Sequence, residues 1–270
     1  SSPPEPVLRA EGLVYAIGPR ALFTGLSLQL PPGVSLVRGG DGRGKTSLLA
    51  LLAGVAQPRE GTLNLRGTDL AVHPEAYRAQ VFLTQPASTE LDAISPNAWF
   101  DALATRYDGF DRDALDELTD GLALGPHRDK AGYMLSAGTK RKVWLAGALA
   151  SGATLTLLDE PFAALDRASI DYLLDLFTEA AASTARAWVL ADYHAPPGVP
   201  LAAQVDLHHA LIIQNGSGLI YKFAQNYRLP FVILFGFDHY FLTQAVFHSL
   251  RIILYLNLQK FLCQALEVFT

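Results

Sequence analysis

From residue 7 to about residue 207 the chain alternates short β-rich apolar runs with longer, alanine-rich stretches whose apolar positions recur at helical spacing. The short runs predict strands over 7–15, 26–30, 34–38, 62–65, 80–84, 154–158 and 187–191. The longer ones predict helices over 45–52, 96–107, 112–121, 139–149 and 170–182. Strands separated by helices predict an α/β domain with a mixed or largely parallel sheet, spanning 7–210. The stretch from 86 to 135 carries no convincing strand pattern, so a helical subdomain inserted over about 86–150 is expected. No internal repeat appears.

Composition changes this picture at one place. Near residue 210 alanine becomes scarce and Phe and Tyr frequent, as in Phe231-Val232-Ile233-Leu234-Phe235-Gly236-Phe237, and Gln214-Asn215-Gly216-Ser217-Gly218 marks the joint. Residues 211–270 therefore read as an apolar, aromatic-rich tail of separate character. A membrane span there would have to carry Asp238, at a cost of roughly 3 kcal/mol. An amphipathic or partner-docking extension and an out-of-frame appendage are the other readings. His208 and His209 fall in an expected strand, where adjacent side chains point to opposite faces, so a metal pair is not expected of them.

Half of the 270 residues are hydrophobic and 17% charged, which excludes wholesale disorder. The net charge of −5 opposes nucleic acid as the main partner. A single cysteine, Cys263, permits neither an internal disulfide nor a cysteine-based zinc site and fits a reducing compartment. The opening SSPPEP has neither an initiator Met nor a basic and apolar leader. A trimmed start, with residues 1–6 disordered, is expected.

Two motifs carry chemistry. Gly39-Gly40-Asp41-Gly42-Arg43-Gly44-Lys45-Thr46, with Ser47 beside it, matches GxxxxGK[ST] between an expected strand and an expected helix. Glycines there let backbone N–H groups converge on phosphate oxygens at a helix N-terminus. Lys45 would neutralise β and γ phosphates, and the Thr46 hydroxyl can ligate Mg²⁺. The second motif is the apolar strand ending in Asp159-Glu160-Pro161. Two carboxylates at the end of a buried strand are costly unless a cation or a reaction uses them. Beside a phosphate loop, Asp159 would hold Mg²⁺ and Glu160 would polarise the attacking water.

With these two motifs stand others in a fixed order, and over nearly all of residues 7 to about 200 the chain resembles the ATP-binding cassette (ABC) ATPases. Leu135-Ser136-Ala137-Gly138-Thr139 resembles the family's LSGGQ signature, Gln85 its Q-loop glutamine, and Ala164-Leu165-Asp166 its D-loop; Tyr15 sits where the family places an aromatic against adenine. The resemblance implies a P-loop NTPase fold of ABC type, with N-terminal antiparallel strands and the inserted helical subdomain. It also implies Mg²⁺ sensing by Gln85, alongside Thr46 and Asp159, and Asp166 at a dimer seam. A helix led by Ser136 offers a second anion site, so one chain carries two half-sites. The simplest arrangement is a head-to-tail pair, each nucleotide held by Lys45 of one subunit and by Ser136 and Gly138 of the other.

The chain departs from the family pattern at Ala137 and Thr139, where Gly and Gln are usual. The switch histidine is open between two positions in Asp192-Tyr193-His194. Ungapped spacing from Glu160 sets Tyr193 slightly nearer, whereas a one-residue loop difference restores His194, whose imidazole could bridge the γ-phosphate and Glu160. We assign the role to His194. The resulting expectation is an ATP-hydrolysing, energy-coupling subunit of an ABC transporter, dimerising around two Mg-ATP. It would be cytoplasmic and peripheral at the inner membrane face, work with separate transmembrane permease subunits, and bind no nucleic acid. Its compact signature region looks somewhat like small single-cassette exporter subunits, including the haem-exporter type. Alternatives are a soluble cassette acting on ribosomes or DNA and a weakly hydrolysing, ATP-gated module acting on another assembly.

Overall fold

In the computed structural model, which describes residues 5–85, 88–207, 211–213 and 221–222, the chain opens with β1 (Leu8–Ile17) and β2 (Arg20–Leu30), an antiparallel hairpin turning through Gly18. Both strands are longer than the 7–15 and 26–30 expected, because shifts in register let alternate side chains keep pairing past the apolar stretch. β3 (Gly33–Arg38), buried along its length apart from Arg38, leads to α1 (Lys45–Leu52). Then come β4 (Glu60–Leu65), β5 (Thr68–Asp69), α2 (Pro74–Ala79) and β6 (Val81–Leu83). The helices α3 (Pro96–Arg106), α4 (Arg112–Gly121) and α5 (Ala137–Ala150) follow, with short 3₁₀ turns at Gly125–His127 and Gly132–Met134. The described part closes with β7 (Leu155–Asp159), α6 (Arg167–Ala180), β8 (Ala187–Asp192), β9 (Ala203–Asp206), β10 (Leu211–Ile213) and β11 (Tyr221–Lys222). All described residues belong to one compact unit.

Among these residues two sheets form. β2, β1, β4 and β5 make an antiparallel sheet; the other has the order β11-β10-β9-β3-β8-β7-β6, parallel from β9 to β6. β10 runs antiparallel beside β9 and lies past the boundary placed at 210. Apart from β10 and β11, the apolar tail lies outside the described residues, as does the His208-His209 pair.

α1 explains how the sheets are joined. Leu48, Leu49, Leu51 and Leu52 are all fully buried, so this helix is apolar on most sides and shares a core with both sheets, including Leu8, Leu30, Leu65 and Val189. A second core holds the helical region. There Trp99 of α3 and Trp144 of α5 meet edge to face, ring centroids 4.8 Å apart, with Phe82 of β6 against both.

Four helix starts are set by side-chain caps. Ser95 accepts from the Ala98 N–H, Asp111 from Ala114 N–H at 2.9 Å, Ser136 from Thr139 N–H at 3.1 Å and Asp166 from Ser169 N–H at 2.9 Å. The last two caps start α5 and α6 two and three residues before the positions expected from apolar periodicity.

Candidate functional site at the ends of the parallel strands

Parallel strands gather ligands beyond their carboxyl ends. β3, β8 and β7 end together here, with Arg38 opposite Asp192 and Asp159 opposite Ala191 in register. The loop after β3 wraps into α1 through Gly44, which has φ +96° as the residue before the helix; an added Cβ there would meet the Phe23 ring at 3.2 Å. The result is a cavity of about 300 Å³ lined by Gly40, Asp41, Gly42, Gly44, Lys45, Thr46, Ser47 and Glu160, together with Ile17, Arg20 and Leu22 from the first hairpin.

Lys45 is only 6% exposed. Its Nζ donates to the Gly39 carbonyl at 2.8 Å and lies 3.7 Å from Glu160 Oε1. The Thr46 hydroxyl donates to Asp159 Oδ2 at 2.7 Å. Burial chiefly, and then the neighbouring Glu160 charge, push the Asp159 carboxyl above the ordinary 3.8, against the lowering effect of the Thr46 hydrogen bond. Burial likewise raises Asp192, with Glu160 adding to it. The carboxylates at these strand ends are thus short of positive charge. Among the described residues no group of three or more His, Cys, Asp or Glu gathers to hold a metal. A hydroxyl and a carboxylate oxygen side by side are hard donors, suited to Mg²⁺ that takes the rest of its shell from phosphate oxygens and water. The residues fit Mg²⁺ with a triphosphate.

Glu160 is held by its backbone. Its N–H donates to the Ala191 carbonyl at 2.9 Å, its carbonyl accepts from the Arg141 guanidinium of α5, and its φ is +47°, a left-handed conformation that an unbranched acid tolerates at some cost. Asp159 is held from the other side, where its N–H donates to the hydroxyl of buried Thr84 at 3.0 Å.

Several expected residues fall elsewhere. Tyr15 is half-buried opposite Phe23 and packs on the core shared by the two sheets, outside the cavity lining; Ile17 and Leu22 line the cavity, with Arg20 donating to the Gly42 carbonyl at 2.8 Å. Gln85 follows β6 with an exposed side chain and does not line the cavity. Gly39 is buried behind the loop and Arg43 is exposed beside it.

Tyr193 and His194 are both exposed, and Tyr193 lies against the phosphate loop: its hydroxyl donates to Asp41 Oδ1, and Lys45 Nζ lies 3.9 Å from the centre of its ring. β8 continues through Asp192, so Tyr193 is the first residue past the strand and His194 the second. Thr84, Arg141, Ile17 and Leu22 escaped sequence reasoning altogether. A Thr directly before an expected strand-end Gln and a basic residue one turn into the signature helix were the only signals.

The start of α5 is separate from this cavity. Ser136 is exposed at the start of α5, its hydroxyl paired with that of Thr139 at 2.9 Å. Gly138 packs so closely on the segment before α6 that an added Cβ would lie 2.5 Å from the Ala164 carbonyl oxygen. Lys142, one turn further on, pairs with Asp166 at 2.5 Å, and Lys140 pairs with Asp92. The Lys142 hydrogen bond first, then those from Ser169, hold the exposed Asp166 carboxyl well below its ordinary range.

Comparison with known proteins agrees with this geometry. The family model described as ABC transporter matches residues 23–163, more than half of the chain. The chain is 39% identical over 212 residues to the cytochrome c biogenesis ATP-binding export protein CcmA of Rhodospirillum rubrum, covering 75% of this chain and 86% of that one. It is 38% identical over 172 residues to the protein of the same name from Pseudomonas savastanoi pv. phaseolicola, covering 63% and 81%. Among solved structures, an ATP-binding subunit of an ABC transporter superposes with a TM-score of 0.67 at 21% identity, covering 74% of this chain and 85% of that one, a likeness of fold. The chain belongs to the ABC transporter family, and its activity is that of an ATP-binding, ATP-hydrolysing subunit that couples energy to transport.

Proposed function

We propose that ATP binds in the cavity at the strand ends, with Lys45 on its β and γ phosphates, the loop amides from Gly40 to Ser47 around them, and Ile17 and Leu22 under the base. Mg²⁺, when bound, neutralises phosphate charge and aligns the phosphoryl oxygens; Thr46 and Asp159 would hold it, and we assign Gln85, next to Thr84, to the same shell. Glu160 accepts the proton of the attacking water, kept in place by the Ala191 carbonyl and by Arg141. The observation that carries this reading is the meeting of Lys45, Thr46 and Glu160 around one cavity, with Thr46 Oγ1 2.7 Å from Asp159.

Ser136, Gly138 and Asp166 belong to the other face of the same chemistry. Lying apart from the cavity at an exposed helix start, they support a head-to-tail pair of chains in which this face closes over the nucleotide of a second copy. Because curated relatives are named as export proteins of cytochrome c biogenesis, we assign the chain to an export step of that class. It would act from the cytoplasmic face with separate membrane subunits. Among the described residues no helix is long and apolar enough to cross a membrane.

Calorimetry of wild type with Mg-nucleotide, with ATPase rates of wild type and Glu160→Gln, tests the first part. Binding is expected in both, with hydrolysis lowered about 10²–10⁴-fold in the variant. Equal, near-background rates would defeat it. Co-purification with a multi-span membrane protein tests the second part, and association with ribosomes would overturn it.

A further inference from the structure

Tyr193, the first residue past β8, lies against the phosphate loop. Its hydroxyl donates to Asp41 of that loop. Its ring carries the Lys45 ammonium 3.9 Å from its centre, and that ammonium is also drawn to Glu160 at 3.7 Å. One side chain therefore engages both the loop and the cation that a bound triphosphate needs. A phenol is well suited to this. It offers a neutral donor to an acid and a π face to a cation at once. An imidazole would offer a smaller face and a charge that changes near neutral pH.

We propose that Tyr193 is a gate on the phosphate seat, held there by Asp41 and competing with nucleotide polyphosphate for Lys45. This inference rests on the reading of the cavity as the ATP site and adds to it a device in this chain's own residues. A polyphosphate entering beneath Lys45 draws the ammonium off the ring. The approaching negative charge also repels the Asp41 carboxylate, which loosens the hydroxyl. Tyr193 then swings outward; at 37% exposure it has room to do so. The hydroxyl stays protonated throughout, since its hydrogen bond to Asp41, with burial adding, pushes its pKa up to about 12.

Removing a competitor tightens binding, a direction that structural damage does not produce. Titration calorimetry with Mg-ADP on wild type, Tyr193→Ala and Tyr193→Phe is the test, with thermal unfolding run in parallel. Tyr193→Ala is expected to bind Mg-ADP about three- to tenfold more tightly than wild type. Tyr193→Phe keeps the ring and loses only the hydroxyl bond, so it is expected to fall between the two. Unchanged or weaker affinity in the Phe variant, with a melting temperature equal to wild type, would overturn the gate even if the Ala variant unfolds. Lys45→Ala is the separate control. If it binds Mg-ADP as well as wild type does, the assignment of the cavity fails before the gate is in question.

Discussion

The two ends of α5 and α1 make an instructive pair. At α1 the anion site is built from the inside: Lys45 is 6% exposed, and three strand ends and a left-handed Glu160 converge on it. Two of the carboxylates there, Asp159 and Asp192, are held above their ordinary pKa by burial. At α5 the anion site faces outward. Ser136 is exposed, and Asp166 nearby already has its cation in Lys142 and sits below its ordinary range. On the proposed reading, the first site, with its two burial-raised carboxyls, takes up a cation and a polyanion. The second is finished within the chain, so its cap, dipole and close packing can serve a ligand held elsewhere.

That contrast can be broken at several points. The largest expected effect is from Lys45→Ala, which removes the buried cation of the inner site: Mg-ADP affinity should fall about 10²-fold or more, read by calorimetry. Gly138→Ala comes next. Its Cβ would collide with the Ala164 carbonyl, which should cost about 1–3 kcal/mol of stability in chemical unfolding. ATPase rate should fall while affinity of the single chain for Mg-ADP stays unchanged. Ser136→Ala removes a helix cap worth about 1 kcal/mol. It should lower ATPase by about tenfold and weaken ATP-dependent pairing in sedimentation, again sparing single-chain affinity.

The smallest effects concern pH, and they should have opposite signs at the two sites. A carboxyl whose folded pKa is raised, as in Asp159, favours folding while protonated, and that contribution is lost as pH rises above 3.8 through the raised value. Asp159→Asn should therefore raise the melting temperature at pH 7. For Asp166, whose pKa is lowered, the stabilisation is present above 3.8 and lost as pH falls. Asp166→Asn should lower the melting temperature at pH 7. Both differences should shrink towards acid pH, and a common sign at pH 7 would erase the distinction between the sites.

Local chemistry made much of this legible beforehand. The run Lys45–Leu52 is helical because its leucines are buried on several sides and glycine ends the loop before it, and Arg112–Gly121 is helical because apolar Leu115 and Leu118 recur on one face behind an Asp111 cap. Other elements left little trace. α2 spans six residues, too few for a periodic pattern, and is held by Tyr77, whose buried hydroxyl donates to the Leu52 carbonyl at 2.7 Å. β9 shows only two buried positions out of four, yet pairs in parallel with β3. Tyr15 looked like a base platform because it is an aromatic at the right separation from Lys45. In the hairpin's bulged register it packs partly on the core, while Ile17 lines the cavity.

By itself the sequence determined what depends on neighbours a few residues away: the glycine turn before α1, the caps of α5 and α6, and the apolar strand that ends in Asp159. The tertiary structure alone decided which side chains meet across the sheet. Tyr193 rather than His194 reaches Lys45 because β8 lies beside β3 with Asp192 opposite Arg38, and side chains leaving a strand alternate in direction, so one residue of register chooses between them. Thr84 reaches Asp159, and Arg141 reaches Glu160, for the same reason: contacts between residues 75 and 19 positions apart are set by strand order and helix packing, which no local pattern encodes.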